Sequence, residues 1–145
     1  MKPFPDEEYE YRERVRRFVQ RMDDNVDAII VEGESDKRVL RRLGAESRIF
    51  TSGGRSPEPF AETVARVTDR LVILTDFDEH GKELNKEFQH LLREDVTIFH
   101  AYRRDFGKLL TSSGRHCVED LRPLFDSRFE KFVDAKLDRL FTPFS

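Results

Sequence analysis

The chain has 145 residues, with 26 Lys and Arg against 29 Asp and Glu, a formal net charge of −3 and a pI of about 5.9. Its length suits one domain spanning residues 1–145, and 13 Phe with several Val/Ile/Leu runs supply a core despite 38% charged residues, which argues against wholesale disorder. No apolar run approaches the roughly 18 residues of a membrane span; the N-terminal MKPFPDEEYEYRERV lacks the apolar segment of a secretory signal, and one cysteine, Cys117, excludes an internal disulfide and a multi-cysteine zinc site. These features predict a cytoplasmic protein without membrane partners. Because the overall balance is acidic, contact with nucleic acid requires a local basic surface.

In chain order, residues 6–22 read as an amphipathic helix, with Tyr11, Val15, Phe18, Val19 and Met22 on one stripe. Val26 to Val31 is a short apolar, β-branched run, hence a buried strand, and it ends in Glu32-Gly33. Ser35 is a candidate N-cap for a helix that turns Val39, Leu40 and Leu43 inward and closes at Gly44. A second strand, Arg48 to Thr51, runs into the loop SGGRSP. There Ser56 and Pro57 open a helix carrying Phe60, Val64 and Val67 on one face. Leu71 to Leu74 is the third strand and ends in Thr75-Asp76-Phe77-Asp78. A helix over 81–92 follows, striped by Leu84, Phe88, Leu91 and Leu92, and Val96 to His100 is a fourth strand. Residues 102–117 read as a polar, basic loop. A last helix over 125–140 carries Phe129, Phe132, Val133, Leu137 and Leu140 inward, and Phe141 and Phe144 in the tail could cover a partner subunit. Buried strands alternating with helices predict a parallel sheet covered on both faces.

The acids at the strand ends carry the chemistry. Glu32 lies just past the first strand, and Asp76 and Asp78 just past the third. In an open parallel α/β sheet the ligand crevice lies at the carboxyl ends of the strands, where strand order reverses. Asp76 and Asp78, two residues apart in an extended segment, point to one side and can share a hard divalent cation. Mg²⁺ suits such a pair, because it takes one or two carboxylates and keeps waters for a phosphate to displace. Glu32 would then exchange a proton with a phosphate-ester oxygen. Each acid alone also reads as a solvated loop residue, and Asp78 as a cap for the helix that follows.

IIVEGESD (Ile29 to Asp36) and LVILTDFDEHGKE (Leu71 to Glu83) resemble the two toprim motifs, a strand ending in Glu-Gly and a strand ending in Asp-x-Asp. The resemblance covers about residues 26–121. It is nearest to the toprim domain of the ribonuclease that matures 5S ribosomal RNA, whose ending HAY (His100 to Tyr102) and CVEDL (Cys117 to Leu121) resemble, and to small stand-alone archaeal toprim proteins. It implies a three-layer α/β/α, Rossmann-like fold with a four-stranded parallel sheet in the order 2-1-3-4, here flanked by extra N- and C-terminal helices. It further implies Glu32 as general acid/base, Asp76 and Asp78 (with Glu32 alongside) holding Mg²⁺ or Mn²⁺, and Gly33 making the close turn. The activity implied is that of a metal-dependent phosphodiesterase, a nuclease on structured RNA or on DNA. His80 stands where topoisomerases of the type II kind carry a third Asp, which argues against a second metal. The chain is too short for a strand gate, and 20 residues past the match leave no substrate domain like that of the ribosomal-RNA maturase.

A polyanion must be held by cations. The candidates are Gly53, Gly54 and Arg55 after the second strand, Lys82 after Asp-x-Asp, and Arg103, Arg104, Lys108 and Arg115 in the basic loop. The same parts also fit a nucleic-acid-binding module without turnover, paired with a homodimer mate or an accessory protein, and a small-molecule phosphohydrolase.

Overall fold

A computed structural model describes residues 5–125. Four short strands, β1 (Ala28–Val31), β2 (Arg48–Thr51), β3 (Arg70–Ile73) and β4 (Thr97–Ile98), form one parallel sheet in the order β2-β1-β3-β4. Ile29 pairs with Ile49 and Val72, and Ile30 with Phe50 and Ile73, so β1 is central. The order is the one the resemblance implies, and it brings the ends of β1 and β3 side by side.

Helices cover both faces because strand side chains alternate. Ile29, Val31, Val72 and Leu74 point into a core shared with α1 (Pro5–Asn25), α2 (Glu34–Arg42), α5 (His100–Thr111) and a 3₁₀ helix, Val118–Phe125. Ala28, Ile30, Leu71 and Ile73 point the other way, against α3 (Pro57–Val67) and α4 (Glu79–Leu92). The stripe expected on α1 is real, with Val15, Val19 and Met22 fully buried. Gly44 closes α2 at φ +97°, and the N–H of Ala45 reaches back to the Leu40 carbonyl at 3.0 Å, a turn that disfavours any side chain. Ser56 and Pro57 begin α3 as expected.

Four expectations are corrected. The stretch from residue 102 is not a loop: α5 occupies His100–Thr111, because Arg103, Phe106, Gly107 and Leu110 recur at helical spacing and are buried. That also shortens β4 to two residues. The N-cap of α2 is Gly33 rather than Ser35, with the Asp36 carboxylate accepting from the Gly33 N–H at 3.0 Å. Val67 ends α3 half exposed, at 50%, past the last turn that faces the sheet. The expected helix over 125–140, with Phe141 and Phe144 beyond it, lies outside the described residues apart from Phe125, which ends the 3₁₀ helix.

α5 matters most for the site because its inner face carries Arg103. That side chain is 9% exposed, and its guanidinium donates to the carbonyls of Ile73 (3.1 Å), Thr75 (2.8 Å) and Asp76 (3.2 Å) and to the Thr75 hydroxyl (3.2 Å). Its Cζ lies 4.4 Å from the Phe77 ring centre. One planar fork thus holds the whole β3–α4 turn. Arg103→Met is expected to cost about 3 kcal/mol or more of stability in urea unfolding, since each buried carbonyl left without a donor costs about 1–3 kcal/mol. Arg103→Lys should restore little of it.

Candidate metal centre

The turn after β3 is built against its neighbours. The Asp76 N–H donates to the Glu32 carboxylate at 2.6 Å, tying the ends of β3 and β1 together. The Phe77 N–H donates to the His116 carbonyl at 2.7 Å. The buried Thr75 hydroxyl donates to the Gly81 carbonyl at 2.7 Å. Gly81 sits so close over the turn that a Cβ there would collide with the Asp76 carbonyl, which accounts for the glycine. At Gly107 a Cβ would stand 2.7 Å from the Phe77 ring, so α5 also closes down on the turn.

Four carboxylates converge here, and only three were anticipated. Asp36 is the fourth: 5% exposed, it accepts from the N–H groups of Gly33 (3.0 Å) and Glu119 (2.8 Å). Its sequence signal was weak, because a capping acid is normally recognised behind a Ser or Thr cap and here the cap is glycine. One ligand atom from each of Asp36, Asp76 and Cys117 lies within 4.8 Å of the others, the one such group among the described residues, and Glu32 and Asp78 fall outside it. The crowding shows in the protons. Burial first, then the charges of Glu32 and Asp36, push Asp76 up from 3.8 to about 7. Burial also raises Asp36. Burial pushes the Cys117 thiol up to about 12, aided by the Asp76 charge, so it stands there as a neutral thiol. Arg103 is lowered by burial to about 10, against the pull of Glu32 and Asp76, and stays cationic at neutral pH.

Asp78 is exposed, and one of its oxygens caps α4 by accepting from the Gly81 N–H at 2.8 Å. Its other oxygen makes no bond within the described residues. The donor set is therefore hard oxygen at a concentration of negative charge, with Arg103 already spent on carbonyls. That set fits a hard divalent cation. The thiol contributes no ligand of that kind.

The remaining predicted residues fall into four groups. Gly33 has extended backbone, φ −137°, so the close turn there does not depend on a left-handed glycine. Gly53 donates to the Glu32 carbonyl at 2.8 Å, and a Cβ would lie 2.6 Å from that oxygen, so the β2 loop presses on the Glu32 backbone; Gly54 and Arg55 are exposed beside it. Lys82, Arg104 and Lys108 are exposed around a cavity of about 420 Å³ between α4 and α5, whose wall includes Phe77 and Arg103. Arg115 does not join them. Its guanidinium lies 4.8 Å from the Tyr11 ring centre and donates to the Asp120 carbonyl at 3.1 Å. No helix among the described residues is long and apolar enough to cross a membrane.

The family model of the Toprim domain matches residues 27–108. A UPF0292 protein of Pyrococcus furiosus is 31% identical over 124 residues, covering 86% of this chain and 93% of its own. A UPF0292 protein of Thermococcus onnurineus is 35% identical over 118 residues, covering 79% and 88%. A protein of known structure from Aquifex aeolicus shares the fold at a TM-score of 0.56 and 19% identity, over 77% of this chain and 95% of that one.

The raised Asp76 value makes a pH prediction. A carboxyl whose folded-state pKa is raised favours the fold below its ordinary value of 3.8 and loses that contribution as pH rises through about 7. Without divalent metal, Asp76→Asn should therefore melt higher than the parent at pH 8, with the difference shrinking towards pH 4. Mg²⁺ should raise the parent's Tm at pH 8 and leave the variant's almost unchanged. Thermal melts at the two pH values, with EDTA or with Mg²⁺, check both outcomes.

Proposed function

Because the chain belongs to the Toprim domain family, in its UPF0292 group, we propose that it is a Mg²⁺-dependent nuclease that cleaves phosphodiesters of structured RNA or of DNA. Toprim domains bind divalent metals and act on nucleic acids. The observation that supports cleavage most directly is the bond from the Asp76 N–H to Glu32 at 2.6 Å. It sets a carboxylate that is not itself a strand-end Asp beside the Asp-x-Asp turn.

In this reading Asp76 and Asp78 hold the cation with Glu32 alongside, and Mn²⁺ substitutes for Mg²⁺. When bound, the cation supplies positive charge to a phosphate oxygen and to the attacking water. The chain's own residues do the rest. Glu32 spends one oxygen on the Asp76 N–H and has the other to take a proton from water or return one to the leaving oxygen. Asp36 stays buried under the turn and holds Gly33 and Glu119, so it shapes the floor rather than meeting substrate. Arg103 fixes the Asp76 carbonyl and with it the direction of the side chain. Lys82 stands exposed one turn into α4, loosely paired with Glu79 at 3.9 Å, and is available to a phosphate.

End-labelled structured RNA, single-stranded DNA and duplex DNA, each with Mg²⁺, Mn²⁺ or EDTA, test the reading. Metal-dependent products are expected from at least one polymer. Glu32→Gln should slow cleavage by about 100-fold or more, the scale of lost general acid–base catalysis. Asp76→Asn should abolish the response to metal. Binding without products, unchanged by Glu32→Gln, overturns the nuclease and leaves a nucleic-acid-binding module.

A further inference from the structure

The basic cavity beside the turn is not closed at α5. Lys108 lines it and also lines a second, larger cavity of about 820 Å³ on the other side of that helix, between α5 and α1. The second cavity presents Arg14, Arg17 and Arg21 from α1, facing only Asp24 and Asp105. The three arginines recur at i, i+3 and i+7, so they share one face of the helix and span about 10 Å along it. All three are exposed, and Arg14 and Arg17 carry no ion pair among the described residues. Asp105 is itself drawn to Arg104 at 3.2 Å. In a chain with a net charge of −3, this is a segregated strip of cations.

We infer that this strip, running from Lys82 and Arg104 across Lys108 to Arg14, Arg17 and Arg21, is the path of a nucleic-acid backbone leaving the candidate centre. The inference rests on the reading of a nucleic-acid substrate above, and it adds α1, which lies outside the matched toprim segment, to the binding surface. Geometry sets the scale. Adjacent packed helices lie about 8–10 Å apart, so the α1 arginines stand about 20 Å from the turn. At 3.4 Å of rise per step in one strand, that is about six nucleotides of a stacked strand.

The test is the triple variant Arg14→Gln/Arg17→Gln/Arg21→Gln. Its control is Arg66→Gln/Arg70→Gln/Arg93→Gln, which removes the same charge from the ends of α3 and α4 and the start of β3, where none of the three lines either cavity. Anisotropy titrations use labelled 24-mers of duplex RNA, duplex DNA and single strands, and a 4-mer, each at several salt concentrations. For the bound 24-mer, the α1 variant should lose at least tenfold in affinity, and the slope of log K against log salt should shrink by about 2–3, near 0.9 per cation removed on a duplex. The 4-mer should bind the α1 variant and the parent alike, and the control variant should keep the parent's slope. The 24-mer that shows the loss identifies the polymer. If the α1 variant and its control weaken 24-mer binding equally, or neither does, the path is wrong while the nucleic-acid reading stands. If the parent binds no polymer at all, both fall together.

Discussion

Everything at this centre depends on holding a turn in place against like charge. Glu32, Asp36, Asp76 and Asp78 are brought to one sheet edge by the adjacency of β1 and β3, and mutual repulsion alone would open that edge. Three restraints oppose it. The Glu32 carboxylate takes the Asp76 N–H, the missing Cβ of Gly81 lets α4 seat directly on the Asp76 carbonyl, and Arg103 collects the carbonyls of Ile73, Thr75 and Asp76 from behind. The cost appears as protons held tightly: Asp76 is raised to about 7 by burial and by its acidic neighbours. A cation would relieve repulsion stored in this way, which is the physical content of calling it a candidate metal centre.

Arg103 shows why one helix can serve two purposes. Its inner face places a buried guanidinium on the turn's carbonyls, and burial lowers its pKa to about 10 without discharging it. The outer face of the same helix offers the adjacent Arg104 and, one turn beyond it, Lys108 to solvent. Helical periodicity thus converts a basic run into one structural cation and an exposed pair. A loop would have left all of them equivalent.

That division was the part of the sequence hardest to read. The strand-end acids, the 2-1-3-4 order, the Gly44 terminus and the Ser56-Pro57 start were legible, because each depends on local rules or on a motif of fixed spacing. α5 was not, although Phe106 and Leu110 stand four apart. Arg103 breaks the apolar stripe, and a charged residue counts as solvent-facing unless its partners are known. Those partners are backbone carbonyls about 30 positions away, which leave no mark on sequence. Asp36 escaped for a similar reason. It caps a glycine and a residue 83 positions distant. Gly81 looked like a helix start and is instead a point of close approach, which only the packing of α4 on the turn reveals.

The same charges also organise what can approach. A phosphate backbone is drawn to Lys82, Arg104 and Lys108 and is repelled by the four acids a few residues away, so it meets attraction and refusal at adjacent positions. A divalent cation at the carboxylates removes the refusal. By linkage, a polymer that binds more tightly to the metal-loaded centre must also tighten the metal by the same factor. Engagement of substrate and loading of the cation are therefore one coupled equilibrium on the proposed reading, with Arg103 holding the geometry constant on both sides of it.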